Sequence, residues 1–384
     1  MNPVWLLMLA IGLVGANTMV LSPIAAEVAA SFAGTSAPDV LTASAIYGGG
    51  TAFSALVLAP RAGALGLGRA LLIAVLVLAL AFALSAASPT LLALSGAQAL
   101  AGMAAGVVLP ATYGLAAQVA AKGRESQTLG KVLIGWTLSF VAGVSLSALL
   151  ADLVHWRAVY LALAVLALGL AVGLVPLARR VGRADGRRLS LWQSLRLEGV
   201  APLLLSQVLF MAAFYGLYAY LGPHLTGPLG LSTALTGFAA LSYGIGFGFA
   251  APLDRLLDRL GPTRVAPGVF LILIVAYGAL SLGSASALAL IALCLIWGAV
   301  NHLGLNLLVG QLNAASSEHR ASVMALNSAF TYGAMLLGTS GFKPLFEAYG
   351  FTGCALLSAA LILPVTLIAL RSARPNTAAL SPNL

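Results

Sequence analysis

The chain has 384 residues, of which 61% are hydrophobic and 8% are charged, whereas soluble domains carry about 25% charged residues. A soluble globule could not bury this much apolar surface, so the composition predicts an integral membrane protein. Long apolar runs such as 71–84 exclude a β-barrel, whose strands alternate in polarity. The net charge of +9 does not indicate nucleic-acid binding, because the basic residues sit in short turns.

The two cysteines, Cys294 and Cys354, both lie in apolar runs, so neither a disulfide framework nor a zinc site is expected. No phosphate-binding loop of the Gly-x4-Gly-Lys type occurs, and no cofactor is predicted. The first apolar run has no basic start and no cleavage site, so we expect a membrane span there and not a removed leader.

About 20 apolar residues cross a bilayer as a helix, and the chain divides into twelve such spans, with the first expected to break near Pro23. An arginine-rich linker, 179–198, separates a six-span half at 1–178 from a second at 199–371, and a polar tail follows at 372–384. The predicted spans are 4–25, 40–60, 70–87, 90–118, 130–151, 157–178, 200–221, 232–252, 265–283, 287–314, 321–341 and 351–370.

Lysine and arginine are distributed very unevenly between the two sides of this arrangement. With twelve spans, the side opposite the chain ends receives Arg157 and Lys343, and nearly all other basic residues fall on the side of the chain ends. Basic loops stay in the cytoplasm. The pattern therefore predicts both termini on the cytoplasmic side of the inner membrane.

The two halves also resemble each other in sequence. Tyr47-Gly48 precedes the basic turn 61–69 much as Tyr243-Gly244 precedes the charged turn 254–264. Two matched six-span halves are typical of transporters whose binding site lies between the halves.

The Asp-Arg-Leu-Gly sequence at 258–261 with Arg264 resembles the inter-helix loop signature of the major facilitator superfamily. Trp-Arg at 156–157 resembles the pair that opens span 6 of that family, and 325–338 is similar to its span 11 pattern in the twelve-helix drug and sugar efflux branch, which includes arabinose-efflux-permease-like proteins. The resemblance covers nearly the whole chain. It implies an all-α membrane fold of twelve helices in two pseudo-repeated halves that transport by alternating access.

The chain departs from that pattern at several positions. The first loop has Leu65 in place of an aspartate, and the arginine expected near Gln98, associated with proton coupling in this branch, is absent. Span 5 has Gly143 followed by Val144 where the pattern has Gly-Pro, and span 1 has Asn17 in place of a membrane carboxylate. These departures favour an uncoupled or differently coupled carrier.

A proton-coupled carrier needs a group that changes charge within the membrane. His302 in span 10 is one candidate because an unperturbed imidazole titrates near neutrality, and a hydrogen bond between helices is its alternative role. Glu27 and Asp39, near the outer ends of spans 1 and 2, are further candidates, and their alternative is a solvated position on the outer surface.

Uncharged polar and aromatic residues at mid-depth predict a solute-binding cavity without fixed charge. In span 10, His302, Asn306 and Asn313 fall on one helical stripe. Such a lining suits a neutral organic molecule, or a cation held by aromatic faces, while the alternative for any one residue is a bond between helices. The predicted solute contacts are Asn17, Gln98, Trp136, Gln207, Tyr215, Tyr218, Asn301, His302, Asn306, Asn327 and Tyr332.

The charged turn after span 8 is a predicted conformational latch. Asp258 is expected to accept hydrogen bonds from the N-terminus of a neighbouring helix, where the helix dipole favours a carboxylate. The resemblance to the family implies that this helix is span 5, which begins near Lys131. A solvated turn is the alternative. The predicted latch residues are Asp254, Asp258, Arg259, Gly261, Arg264 and Lys131.

The sequence thus predicts a monomeric secondary transporter in the lipid bilayer, not an enzyme, that exports a small neutral or cationic organic solute, with protons as a candidate coupling ion. One alternative is an uncoupled or differently coupled facilitator or importer of a sugar-like or nucleoside-like solute. A non-transporting membrane sensor is the alternative of another class.

Overall fold

The computed structural model describes residues 2–121, 124–180, 191–316 and 319–373. All regular elements in these ranges are helical, and eleven helices are long and apolar enough to cross a membrane. The last of them contains two spans, because Gly350 inside it has a non-helical backbone, with φ 63° and ψ −160°. The predicted all-α fold of twelve spans is confirmed. The middle of the predicted linker, 181–190, and the tail from 374 lie outside the described residues.

The first half contains spans 1 to 6, which mostly begin and end within a few residues of their predicted limits. Span 5 is not uniformly α-helical, because a π-helical segment interrupts it near its middle. Spans 1 to 4 are Pro3–Ala30, Ala37–Ala62, Leu67–Ala87 and Leu91–Val119; span 5 consists of Glu125–Leu138, the π-helical Ser139–Val144 and Ser145–Leu153; span 6 is Trp156–Arg180.

The second half contains spans 7 to 12 and is preceded by a short helix, Leu191–Leu195. Span 8 continues through a 3-10 turn into a short charged helix. Span 7 is Val200–Thr226; span 8 is Thr233–Phe249, followed by Ala251–Leu253 and Asp254–Leu260; span 9 is Pro262–Leu282; span 10 is Ala287–Ala314; spans 11 and 12 lie within Arg320–Ala373 on either side of Gly350.

Span 1 is not broken at Pro23, and that prediction was wrong, since the helix continues from Pro3 to Ala30. A proline removes one hydrogen bond from a helix, but membrane helices tolerate this loss when neighbouring helices supply new polar contacts. The acceptor that Pro23 leaves free is the Met19 carbonyl oxygen. The Thr236 hydroxyl of span 8 donates to the Pro23 carbonyl oxygen itself, 3.2 Å away, so it links span 1 to span 8 and does not replace the lost bond.

The two halves use glycine in the same way to pack their helices closely. A side chain on Gly102 would collide with the carbonyl oxygen of Tyr47, and one on Gly298 would collide with that of Tyr243. The two pairs are related by one constant offset in sequence. Small residues let membrane helices approach closely, so spans 2 and 4 pack against each other as spans 8 and 10 do.

The ends of the antiparallel spans form two faces. We call the basic face the one that carries the turns between spans 2 and 3 and between spans 8 and 9, where Arg61, Arg69 and Arg255 are exposed. The opposite face carries the turns between spans 1 and 2 and between spans 7 and 8. The two faces provide the frame in which the contacts between the halves are described below.

The Trp-Arg pair at the start of span 6 joins three helix ends near the opposite face. The Trp156 indole N–H donates to the Ser31 hydroxyl at 2.8 Å. The Arg157 guanidinium lies 4.5 Å from the Trp156 ring centroid and donates to the Ser88 carbonyl oxygen at 3.0 Å. The pair therefore links span 6 to the ends of spans 1 and 3.

Candidate solute-binding site

A small cavity lies between the two halves, where spans 1 and 2 meet spans 7 and 11, on the side of mid-depth nearer the opposite face. Its empty volume, open mouth included, is about 220 Å³. The lining contains hydroxyl and apolar groups and no carboxylate or basic side chain. Among the lining residues are Thr18, Ser22, Ser44, Tyr215, Tyr218 and Met335.

Beside the cavity, five aromatic rings form what we call the aromatic cluster: Phe140, Phe214, Tyr218, Tyr243 and Trp297. The Tyr243 ring is central, with centroids 5.5 Å from Phe214, 5.9 Å from Tyr218 and 5.0 Å from Trp297. Tyr218 belongs to both the cluster and the cavity lining. Its hydroxyl is buried and has no hydrogen-bond partner among the described residues.

Phe140 is the one member of the aromatic cluster from the first half. Its ring centroid lies 5.2 Å from that of Tyr243 and 6.2 Å from that of Tyr218. Phe140 stands in the π-helical segment of span 5, and π-helical insertions are frequent at functional sites. The widened turn thus lies where span 5 contacts the second half.

Asn17 and Gln98, two predicted solute contacts, are bonded to each other within the first half. The Asn17 amide donates to the Gln98 carbonyl oxygen at 3.0 Å, and the Gln98 amide donates to the Ser85 hydroxyl at 3.0 Å. Gln98 is fully buried. Both residues therefore form bonds between helices, the alternative role, while the Asn17 carbonyl oxygen is buried without a partner among the described residues.

Other predicted contacts also form bonds between helices. The Trp136 indole N–H lies 3.4 Å from the Tyr113 hydroxyl, and the Gln207 amide donates to the Thr331 hydroxyl at 3.0 Å. Asn327 and Tyr332 of span 11 are buried. The Tyr332 ring lies 6.4 Å from that of Tyr47, across the boundary between the halves.

The predicted polar stripe of span 10 does not line the cavity. Asn306 is exposed. It lies five helical turns after Leu288 and three after Leu295, and so it shares the outward face of these two exposed leucines. Asn301 points inward, where its amide donates to the Tyr243 hydroxyl at 2.7 Å. The part of the stripe in a solute site stays a prediction, because a common helical face does not show where that face points.

His302, on the same span, binds Asp254 at the end of span 8. The Nε2 atom of His302 lies 3.1 and 3.2 Å from the two carboxylate oxygens. The Phe247 ring packs edge-on against the imidazole with centroids 4.7 Å apart, and the Nδ1 atom is buried with no partner among the described residues. This pairing of a predicted latch residue with a predicted proton-coupling residue was not expected.

The structure describes only part of the predicted latch. Gly261, directly before span 9, has a φ of 93°, and Gly66, at the matching place before span 3, has a φ of 91°. Glycine is favoured in this backbone conformation. Lys131, Arg259 and Arg264 are exposed. The side chain of Asp258 lies outside the described part of the chain, so its contact with span 5 stays a prediction.

Glu27 and Asp39 contact the second half near the opposite face. The Thr233 hydroxyl of span 8 donates to the Glu27 carboxylate at 3.1 Å. Asp39 forms an ion pair with Lys343 of span 11. Near the same face, the Ser22 hydroxyl donates to the Tyr218 carbonyl oxygen at 2.7 Å. Both carboxylates therefore join the halves, which differs from the solvated alternative.

Four rings of the aromatic cluster, those of Phe140, Phe214, Tyr243 and Trp297, were not among the predicted solute contacts. The sequence search looked for polar side chains at mid-depth, and an aromatic ring in a membrane span resembles any other apolar residue. Aromatic residues at mid-depth in spans 5, 7, 8 and 10 were the available signal.

Twelve membrane-length helices in two matched halves, with an uncharged cavity between them, define a multi-pass membrane carrier. The chain belongs to the Major Facilitator Superfamily, whose sequence profile matches residues 7–339. This confirms the resemblance first indicated by the turn 258–264.

Three relatives are similar to the chain over 65% or more of its length. An uncharacterized MFS-type transporter of Bacillus subtilis (strain 168), YwfA, is 25% identical over 358 residues, which cover 90% of this chain and 86% of that protein. A chloramphenicol resistance protein of Streptomyces lividans is 26% identical over 340 residues, 86% of each chain. A probable sugar efflux transporter of Mannheimia succiniciproducens is 25% identical over 260 residues, 65% of each chain.

Proposed function

We propose that this chain is a secondary carrier that exports a small neutral or cationic organic solute by alternating access. The observation that carries the proposal is the uncharged cavity, lined from both halves and continued by the aromatic cluster. Relatives named as a chloramphenicol resistance protein and a sugar efflux transporter support export as the direction.

The chemistry of the site favours a solute with an aromatic or apolar body and few polar groups. The faces of Phe214, Tyr243 and Trp297 can stack on a ring or hold an organic cation. The unpartnered Tyr218 hydroxyl can donate one hydrogen bond to such a solute. An anionic solute would find no basic side chain in the cavity lining.

The size of the cavity supports a mechanism in which the halves move. Pockets for drug-sized molecules have volumes of about 300–1,000 Å³, more than the space present here. Bonds such as Thr233 to Glu27 and Ser22 to Tyr218 hold the halves together near the opposite face. We infer that these bonds break when the carrier opens toward that face and re-form when it closes.

The charge distribution supports an orientation with the basic face in the cytoplasm. Arg61, Arg69, Arg255 and Arg264 are exposed on this face, and basic loops are retained on the cytoplasmic side. Both termini then lie in the cytoplasm of a cell whose inner membrane holds the carrier, and export proceeds from the basic face to the opposite face.

A binding screen on the purified full-length protein tests the proposed site. The panel contains chloramphenicol, sugars, nucleosides and amphiphilic cations, and binding is read as thermal stabilisation. Removing the hydroxyl in Tyr218→Phe should weaken binding of the best ligand about five- to tenfold, the equivalent of about 1 kcal/mol. Tyr160→Phe is the matched control, because its hydroxyl is also buried and unpartnered but lies in span 6.

Transport of the same ligand in proteoliposomes separates the remaining alternatives. An exporter moves the ligand toward the opposite face against its gradient, whereas a facilitator only equilibrates it. If a ligand binds the wild type and is never transported, the sensor alternative is correct. Equal binding by Tyr218→Phe and Tyr160→Phe would place the solute outside the cavity.

A further inference from the structure

The pair formed by His302 and Asp254 joins span 10 to the basic-face end of span 8 and is only partly exposed. His302 lies near the middle of span 10, Ala287–Ala314. Asp254 stands in sequence at the charged turn after span 8, yet both of its carboxylate oxygens lie within 3.2 Å of the imidazole Nε2 atom. The side chains are 15% and 28% exposed, respectively.

We propose that His302 and Asp254 form a proton-binding site that couples proton movement to the transport function proposed above. With a neutral imidazole and an ionised carboxylate, the pair carries one negative charge. Uptake of one proton at the imidazole converts it to an ion pair with no net charge. An uncompensated charge within a membrane is costly, and a neutralised pair is less costly. Proton uptake therefore lowers the electrostatic cost of this site, and proton release raises it again.

The surroundings of the pair leave the proton exchange to these two groups. Arg255 and Arg259 on the short helix 254–260, Arg264 at the start of span 9 and Lys131 on span 5 are exposed. In the described part of the chain, none of these four side chains forms an ion pair with His302 or Asp254. The side chain of Asp258 is not described. Phe247 covers one side of the imidazole.

Phe247 connects the pair to the aromatic cluster, so that a change at His302 can reach the solute site through one intervening ring. The Phe247 ring that packs on His302 lies 6.1 Å from both Tyr243 and Phe140. The neighbouring Asn301 donates to the Tyr243 hydroxyl. A change in charge at His302 therefore acts on a ring of the second half and on one of the first half.

The pair binds the proton at a position where the family pattern does not predict proton binding. The arginine that the resemblance associates with proton coupling is absent near Gln98, and Gln98 is bonded to Asn17 and Ser85. In the first half, Gly106 of span 4 occupies the position that corresponds to His302. The contact of span 2 with span 4 therefore has no ionisable side chain there. The pair thus belongs to the second half alone.

A direct test observes the proton without any solute. The full-length protein, labelled with 13C at its histidines, contains four imidazoles, and His302→Gln identifies the resonance of His302. In the wild type this resonance should change chemical shift with pH, as proton uptake at the imidazole requires. In Asp254→Asn, which lacks the partner carboxylate, the pH response of this resonance should differ from that of the wild type. A resonance that does not change with pH overturns the proposal.

A second readout tests coupling to the movement of the halves. A cysteine introduced at Ser44, in the cavity lining, reacts with a membrane-impermeant maleimide at a rate that reports opening toward the opposite face. Because maleimide reacts with the thiolate, whose fraction rises with pH, each rate is divided by the rate of an Asp152→Cys reporter, which is exposed on the opposite face, at the same pH. We expect this normalised rate to differ between pH 6 and pH 8 by about threefold or more in the reporter protein, and to be equal at the two pH values with His302→Gln. Asn306→Ala, one turn away on the same span, is the matched control and should keep the pH dependence.

The outcomes separate a proton site from a structural bond. Glutamine can still donate a hydrogen bond to Asp254, so a purely structural role predicts that His302→Gln keeps the pH dependence of the Ser44→Cys rate. A titrating His302 with a pH-independent Ser44→Cys rate would also overturn the coupling. Neither readout needs a solute, so a failed binding screen would remove the proposed function and leave this result interpretable.

Discussion

Lys343 of span 11 and Asp39 of span 2 form an ion pair across the boundary between the halves, with Nζ and Oδ1 2.5 Å apart. The second carboxylate oxygen of Asp39 accepts hydrogen bonds from the backbone N–H and the hydroxyl of Ser36. The turn before span 2 therefore orients the carboxylate toward the lysine. Any opening toward the opposite face has to separate the two charges.

We predict that Lys343→Gln favours opening toward the opposite face. About a third of each side chain is exposed, and such pairs contribute about 0.2–1 kcal/mol, which shifts two conformations by about fivefold at most. The rate of maleimide labelling at Ser44→Cys should rise accordingly. Glu347→Gln is the control, because Glu347 lies 3.8 Å from Lys343 on the same helix and does not cross between the halves. Equal rates in the two variants would show that the ion pair has no role in closure.

Gly222 in span 7 should be required for full closure near the same face. A side chain at this position would collide with the Ser22 carbonyl oxygen of span 1, and overpacking of this kind costs about 1–3 kcal/mol. Gly222→Ala should therefore increase labelling at Ser44→Cys by more than about fivefold and abolish the transport cycle, while the protein stays folded. Gly278→Ala, which has no neighbouring atom within 4 Å of the new Cβ, should leave both unchanged. A fully active Gly222→Ala would contradict the closure described here.

Asn17 and Gln98 should stabilise the first half without contacting the solute. A double-mutant cycle with Asn17→Ala and Gln98→Ala should give a coupling free energy of about 0.6 kcal/mol, the average for such bonds in membrane proteins, measured from denaturation of the purified protein. Solute affinity should stay within about twofold of the wild type. Additive effects on stability combined with weaker solute binding would return both residues to the solute site.

The latch at Asp258 remains a prediction from the sequence. Asp258→Asn should shift the carrier away from the state in which its basic face is closed, because a carboxylate at a helix N-terminus contributes about 0.5–2 kcal/mol. The measurement is maleimide labelling of a cysteine introduced at the basic end of span 5. Asp152→Asn, which removes an exposed acid on the opposite face, is the control. Unchanged labelling and unchanged transport in Asp258→Asn would remove the latch.

Hydropathy was sufficient to predict the twelve spans, because a run of about 20 apolar residues has few alternatives to a membrane helix. Hydropathy also separated spans 11 and 12, which follow each other directly at the non-helical Gly350. It failed at Pro23, where the helix continues through the proline and packs against span 8 of the other half. A local pattern cannot show a partner that is distant in sequence.

The candidate site was predicted less well than the spans, for the same reason. Asn17 with Gln98, and His302 with Asp254, are pairs from different helices, and the sequence shows each member alone. Tyr218 was predicted from its polar group and does line the cavity. Asn306 was predicted from a helical stripe whose direction in the bundle only the packing of span 10 determines.

Phe140 brings a ring of one half among rings of the other, and this makes solute width and the separation of the halves a single variable. A wider solute bound among these rings has to push Phe140 away from Tyr218 and Tyr243, and so holds the two halves further apart. A homologous series of guests should then be ranked by girth as much as by affinity. Beyond some girth the lobes could no longer meet at Lys343 and Asp39, and a substrate would become an inhibitor.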